Sequence, residues 1–116
     1  MKKRVIIDME NFTLLEFKKE GLFSSEVVED NKTTIPTHTI KLVQKAYDSN
    51  GISSIAIFFE VGDDEYFFTQ DDLENDLQGL FDEFIEVRNK LLQIQDYINI
   101  YRIEEYNIET KETIDR

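Results

Sequence analysis

Between Glu60 and Glu86 the chain carries eleven carboxylates and no lysine or arginine. Carboxylates at that density hold a divalent cation, draw in a cationic partner, or line the wet side of a helix. For calcium, Asp63, Glu65 and Glu74 fall at the first, third and twelfth places of an EF-hand loop. The fifth and sixth places need an oxygen ligand and a glycine, and Phe67 and Phe68 stand there. The loop fails on its own chemistry, and no metal or other cofactor is expected. Nucleophilic chemistry fares no better. Cysteine is absent, and a Ser-His-Asp arrangement would have to use His38, the one histidine, in a Thr-rich connector without a nucleophile signature. No Gly-rich phosphate loop is present either. The expectation is a protein that is not an enzyme.

The charge is confined to one part of the chain. Residues 1–45 hold eight basic and seven acidic side chains, residues 46–87 none and twelve, and residues 88–116 five and six. The formal net charge of −12 therefore sits almost wholly in the middle segment. Such a surface repels phosphate backbones and attracts basic proteins, so direct nucleic-acid binding is disfavoured and a basic protein partner is expected. Local structure accounts for some of these acids. Asp71, Asp72, Glu74 and Asp76 would lie at the start of a helix, where carboxylates meet unpaired N–H groups, and Glu86 with Lys90 makes an i,i+4 pair. It does not account for the missing cations, since solvated faces ordinarily mix signs. The expected partner-binding set is Asp63, Asp64, Glu65, Tyr66, Phe68, Asp71, Asp72, Glu74 and Asp76, with Asp82, Glu83 and Glu86 as its rim. Aromatic residues interleave with these acids. Alternation places Tyr66 and Phe68 on one side of their strand and Phe67 on the other, so at least one ring is expected outside.

These residues need elements to hold them. Lys3–Asp8 reads as a buried strand, and Glu10–Lys19 leans towards helix until Gly21 interrupts it. Ser24–Lys32 reads as a polar connector. Ile40, Leu42, Val43, Ala46 and Tyr47 recur at helical spacing, ended by Ser49-Asn50-Gly51. Ile52–Val61 is the clearest strand; Gly62-Asp63-Asp64 turns it into a second at Glu65–Thr69. Leu73, Leu77, Leu80, Phe84, Val87, Leu91, Ile94 and Ile98 then form a heptad seam, predicting a helix over about 70–96 that would span roughly 40 Å. The seam reads first as a core stripe and second as a pairing surface for a homo-oligomer. Tyr97–Ile108 reads as a last strand, and the polar tail 109–116 is expected to fray. The predicted fold is α+β: three to five mostly antiparallel strands against one long helix and one or two shorter ones, in a single domain over 1–116. No apolar run approaches a membrane span, and Val5-Ile6-Ile7 stops at Asp8, too short for a signal core, so a cytoplasmic protein is expected.

One pair of segments points elsewhere. Arg4–Phe12 (RVIIDMENF) places Asp8 at a strand end with Asn11 three residues on, and Ile55–Phe67 ends a second strand at Asp63-Asp64. This resembles the strand-end carboxylates of PIN/NYN-type nucleases, which implies metal-dependent hydrolysis. Met9 stands where that family has glycine, no later helix–strand unit completes a doubly wound sheet, and the acidic segment would face a polyanionic substrate. Size and charge instead suggest a dedicated inhibitor of a basic protein. The reading favoured is an immunity protein that neutralises a nuclease toxin by covering its substrate groove; the alternative is a phage-type nucleic-acid mimic acting on restriction or CRISPR machinery.

Overall fold

Alternation sets the first sheet. In a computed structural model, which describes residues 2–19, 27–60, 65–94 and 100–116, β1 (Lys3–Ile7), β2 (Asn11–Lys19) and β3 (Val27–Pro36) form an antiparallel meander in that order. Val5, Ile7, Phe12 and Leu14 turn inward and are buried. Asp8 shapes the β1–β2 hairpin: its Oδ1 accepts from the backbone N–H groups of Glu10 and Asn11 at 2.8 and 2.7 Å. The helix expected over Glu10–Lys19 is therefore strand β2. Its outer face is also apolar, with half-buried Leu15 and Phe17 and the Arg4 guanidinium 5.8 Å from the Phe17 ring centre. A strand apolar on both faces shows no clean period of two, so its spacing imitates a helix. The connector expected up to Lys32 is likewise a strand from Val27. Its exposed Glu29, Asp30 and Lys32 are the charges an edge strand carries against unwanted pairing.

The second sheet runs β6-β5-β4-β7-β8, from β4 (Ile40–Asp48), β5 (Gly51–Phe59), β6 (Glu65–Thr69), β7 (Arg102–Asn107) and β8 (Thr113–Asp115). The helix expected from Ile40 to Tyr47 is strand β4. A bulge between Ile40 and Leu42 leaves the two buried residues Ile40 and Val43 three apart instead of two or four, a helical spacing made by a strand. Ser49-Asn50-Gly51 is the tight turn from β4 to β5, where Gly51 takes φ +115°, a conformation open to glycine. β4 and β7 pair in parallel because α1 carries the chain back across the sheet between β6 and β7. The polar end, read as fraying from Glu109, holds the short exposed strand β8 against β7.

The long helix is shorter than its seam. α1 spans Leu77–Leu92, 16 residues or about 24 Å. Before it come a 3-10 turn at Gln70–Asp72, closed by reciprocal Thr69 and Asp72 contacts, and an extended stretch that docks on β1. There Leu73 bridges to Lys3, Glu74 N–H donates to the Lys3 carbonyl, and the Asn75 carboxamide both accepts from Val5 N–H and donates to the Val5 carbonyl, each at 2.9 Å. A backbone committed to β1 is unavailable to a helix, so the helix starts at its own N-cap, Asp76, which accepts from Gly79 N–H at 2.9 Å. Seam residues Leu73, Leu77, Leu80, Phe84, Val87 and Leu91 are buried in the chain's own core, Ile94 is exposed, and Ile98 lies outside the described residues. The result is a small, compact α+β fold with, among the described residues, eight strands in two sheets and one α-helix, more strands than the three to five expected. The shorter helices expected are not matched: both of their segments are strands, and the short helical pieces among the described residues are two three-residue 3-10 turns, Thr37–Thr39 and Gln70–Asp72.

Candidate protein-binding surface

The acidic residues singled out in the sequence fall on successive elements: β6, the link over residues 70–76, and the outer side of α1. Asp63 and Asp64, with the turn assigned to them, lie outside the described residues. Of the remaining acids, several have local work. Asp72 accepts from the Thr69 hydroxyl at 3.1 Å and Asp76 caps α1. Glu74 meets Arg4 at 2.7 Å, Asp82 accepts from Gln78 at 3.0 Å, and Glu86 faces Lys90 at 3.4 Å. Both partners of the last pair are more than half exposed, where an ion pair adds little. Glu65, Asp71 and Glu83 are exposed and have no hydrogen bond or ion pair among the described residues.

The aromatic residues divide against expectation. Phe68 is 1% exposed and sits in the core, so it is not available to a partner. Tyr66 is half-buried, stacked on Phe12 at 5.7 Å and edge-on to Phe59 at 5.8 Å. The ring that reaches solvent is Phe67, 64% exposed. Register explains the reversal. Phe68 and Tyr66 lie opposite Ile55 and Ile57 on the side covered by α1, whereas Phe67 lies opposite Ala56 on the other side. The signal was present in SIAIFF, Ser54–Phe59: the alternate positions holding isoleucine mark the core face, and those holding serine and alanine mark the outer one.

The middle of α1 is fixed by a buried polar contact. The Tyr101 hydroxyl donates to the Phe84 carbonyl, and Arg88 Nε donates to the Tyr101 carbonyl at 3.0 Å. Burial pushes the Tyr101 hydroxyl well above the ordinary tyrosine range, with Arg88 opposing the shift. Lys45, the last cation before the acidic segment, is spent inside the fold. It meets Glu105 at 3.3 Å and lies 5.3 Å from the centres of both the Tyr47 and Phe81 rings.

As for metal chemistry, no three Asp, Glu or His side chains converge as a metal-holding group among the described residues, and Asp8 is occupied with its hairpin. Among the described residues no helix is long and apolar enough to cross a membrane. Comparison of the chain with protein-family models, with curated proteins and with solved structures finds no match.

Proposed function

We propose that this chain is an acidic binding protein that neutralises a cationic protein, in the manner of an immunity protein covering the substrate groove of a basic nuclease toxin. One observation carries the reading. A segment without lysine or arginine, residues 46–87, leaves Glu65, Asp71 and Glu83 exposed and, among the described residues, without an ion pair, while Lys45, the last cation before it, is engaged with Glu105. Nucleases suit such a surface because their grooves are built to attract polyanions, and opposed potentials steer encounter and fix register. A local patch is favoured over extended nucleic-acid mimicry. Mimicry asks for carboxylates along some 40 Å of helix, whereas Asp82, Glu83 and Glu86 cover little more than one turn of α1.

The test is co-purification with the product of the adjacent gene, at low and then high salt. Capture of a basic protein that elutes as salt rises, and that weakens in the triple variant Glu65→Gln/Asp71→Asn/Glu83→Gln, supports the reading. Those three positions are chosen because they have no structural role in the fold, unlike Asp72, Glu74 and Asp76. Capture indifferent to both salt and the triple variant sinks it.

A further inference from the structure

We infer that the partner is seated on the outer face of the five-stranded sheet, on a trough of small side chains walled by Phe67, and that the seated element is a basic segment with an apolar side. This deepens the proposed function and rests on it. The register lays the face out in three rows across the strands. Glu65, Phe58, Leu42 and Arg102 form the first; Phe67, Ala56, Gln44, Glu104 and Asp115 the second; Thr69, Ser54, Ala46, Tyr106 and Thr113 the third.

The central strands of this face carry the small side chains Ala56 and Ser54 on β5 and Ala46 on β4, beside Gln44, which donates to Glu104 at 3.2 Å. Phe67 stands on the neighbouring strand at one side, Tyr106 on the neighbouring strand at the other, and Phe58 in the adjoining row. None of these outward residues belongs to the hydrophobic core or packs against it. α1 and the inward residues of the first sheet lie on the opposite side, with Val43, Ile55, Ile57 and Phe59. Small residues at a sheet centre let another backbone approach closely, and an exposed ring beside them offers an anchor.

Charge selects the occupant. Glu65 stands in the Phe67 wall with no partner among the described residues, and on the far side Arg102 is neutralised by Glu104 at 2.6 Å and Asp115 at 3.2 Å. Lys41, at the β4 bulge, is the other cation at this margin. The four charged residues of the three rows are thus three acids and one arginine. A second copy would bring −12 against −12, and a nucleic acid would bring its phosphates to the same field. A cationic protein element suffers neither penalty. Its arginine or lysine would lie over the Phe67 ring beside the Glu65 carboxylate, and its apolar side chains would enter the trough.

The experiment titrates isotopically labelled protein with a synthetic amphipathic Arg/Leu peptide and with a Lys/Ser peptide of equal charge, following amide shifts. The expected result is tighter binding of the Arg/Leu peptide, with shifts concentrated at Ala46, Ser54, Ala56, Phe58 and Phe67. Phe67→Ala should weaken it about threefold, and Ala56→Glu, which fills the trough while keeping the surface acidic, about tenfold. Shifts confined to Asp82, Glu83 and Glu86, with both variants binding as before, overturn this inference and leave the charge reading standing. Failure of both peptides to bind at low salt overturns the two together. Self-association by sedimentation, abolished by Ala56→Glu, assigns the face to a second copy and likewise overturns it.

Discussion

Asn75→Ala tests whether the acidic link is built on β1 or merely passes it. The Asn75 carboxamide completes the free edge of β1 by pairing with both backbone groups of Val5, a residue whose side chain is 1% exposed. Each such hydrogen bond contributes about 1 kcal/mol net, and truncation also leaves a part-buried donor and acceptor without their partner. The expected loss is about 2 kcal/mol, rising towards about 4 kcal/mol if water does not reach the exposed edge. Unfolding entropy near 2.1 cal/mol/K per residue gives about 0.24 kcal/mol/K for 116 residues, so a 2 kcal/mol loss lowers Tm by about 8 °C. Urea unfolding measures the free energy, and amide exchange at Val5 localises it. Val5 N–H should exchange faster in the variant at a fixed global stability. A loss below about 0.5 kcal/mol, the range of an indifferent surface substitution, together with unchanged exchange at Val5, would refute the argument. Residues 73–76 would then be an ordinary loop, and the helix start at Leu77 would need another cause.

The remaining tests bear on burial, turn geometry and pH. Phe68→Ala should cost about 3–5 kcal/mol and Phe67→Ala less than about 0.5 kcal/mol in urea unfolding, since one ring is 1% and the other 64% exposed; equal costs would overturn the assignment of faces. Gly51→Ala should cost more than about 1 kcal/mol because φ +115° is closed to alanine, read as a fall in Tm. Tyr101 has a folded pKa raised above its unfolded value, so the stability it contributes is fully present below pH about 10 and lost as pH rises above it. The wild type should therefore lose more stability than Tyr101→Phe between pH 9 and 11, and parallel curves would refute this.

The α+β class and some single elements were legible where local chemistry and tertiary demand agreed, but not the strand order. β6 falls on its expected residues, and the core stripe of α1 is the heptad seam itself. The failures have one physical origin. β2 and β4 are apolar on both faces or bulged, so the spacing of their apolar residues loses the period of two that marks a half-buried strand. Ser49-Asn50-Gly51 was read as a helix end because it followed what looked like a helix; with strands on both sides the same residues make a hairpin. The early helix start over 70–76 failed for a reason absent from the local sequence, since only the folded chain brings β1 alongside Asn75. For the candidate surface, sequence located the acids but chose the inward rings, because alternation gives two faces and not which one is wet.

Charge and fold constrain each other in this chain. A protein that needed its acids only for solubility would scatter lysine among them, as mixed surfaces do. Here the fold draws cations out of the acidic segment's reach, Lys45 beneath α1 against Glu105 and Arg102 into a double ion pair, and spends part of the acidity on caps and turns at Asp72 and Asp76. Among the described residues of that segment, Glu60 after β5, Glu65 on β6, Asp71 in the turn that follows and Glu83 on α1 are exposed without an ion pair. Glu65 shares a face with the exposed ring and the small-residue trough. Self-repulsion lowers stability in proportion to the charge retained. The neutral variants therefore make a joint demand: replacing Glu65, Asp71 and Glu83 by their amides should leave the fold as stable or stabler while weakening binding of the proposed basic partner. Structural acids such as Asp76 should do the reverse.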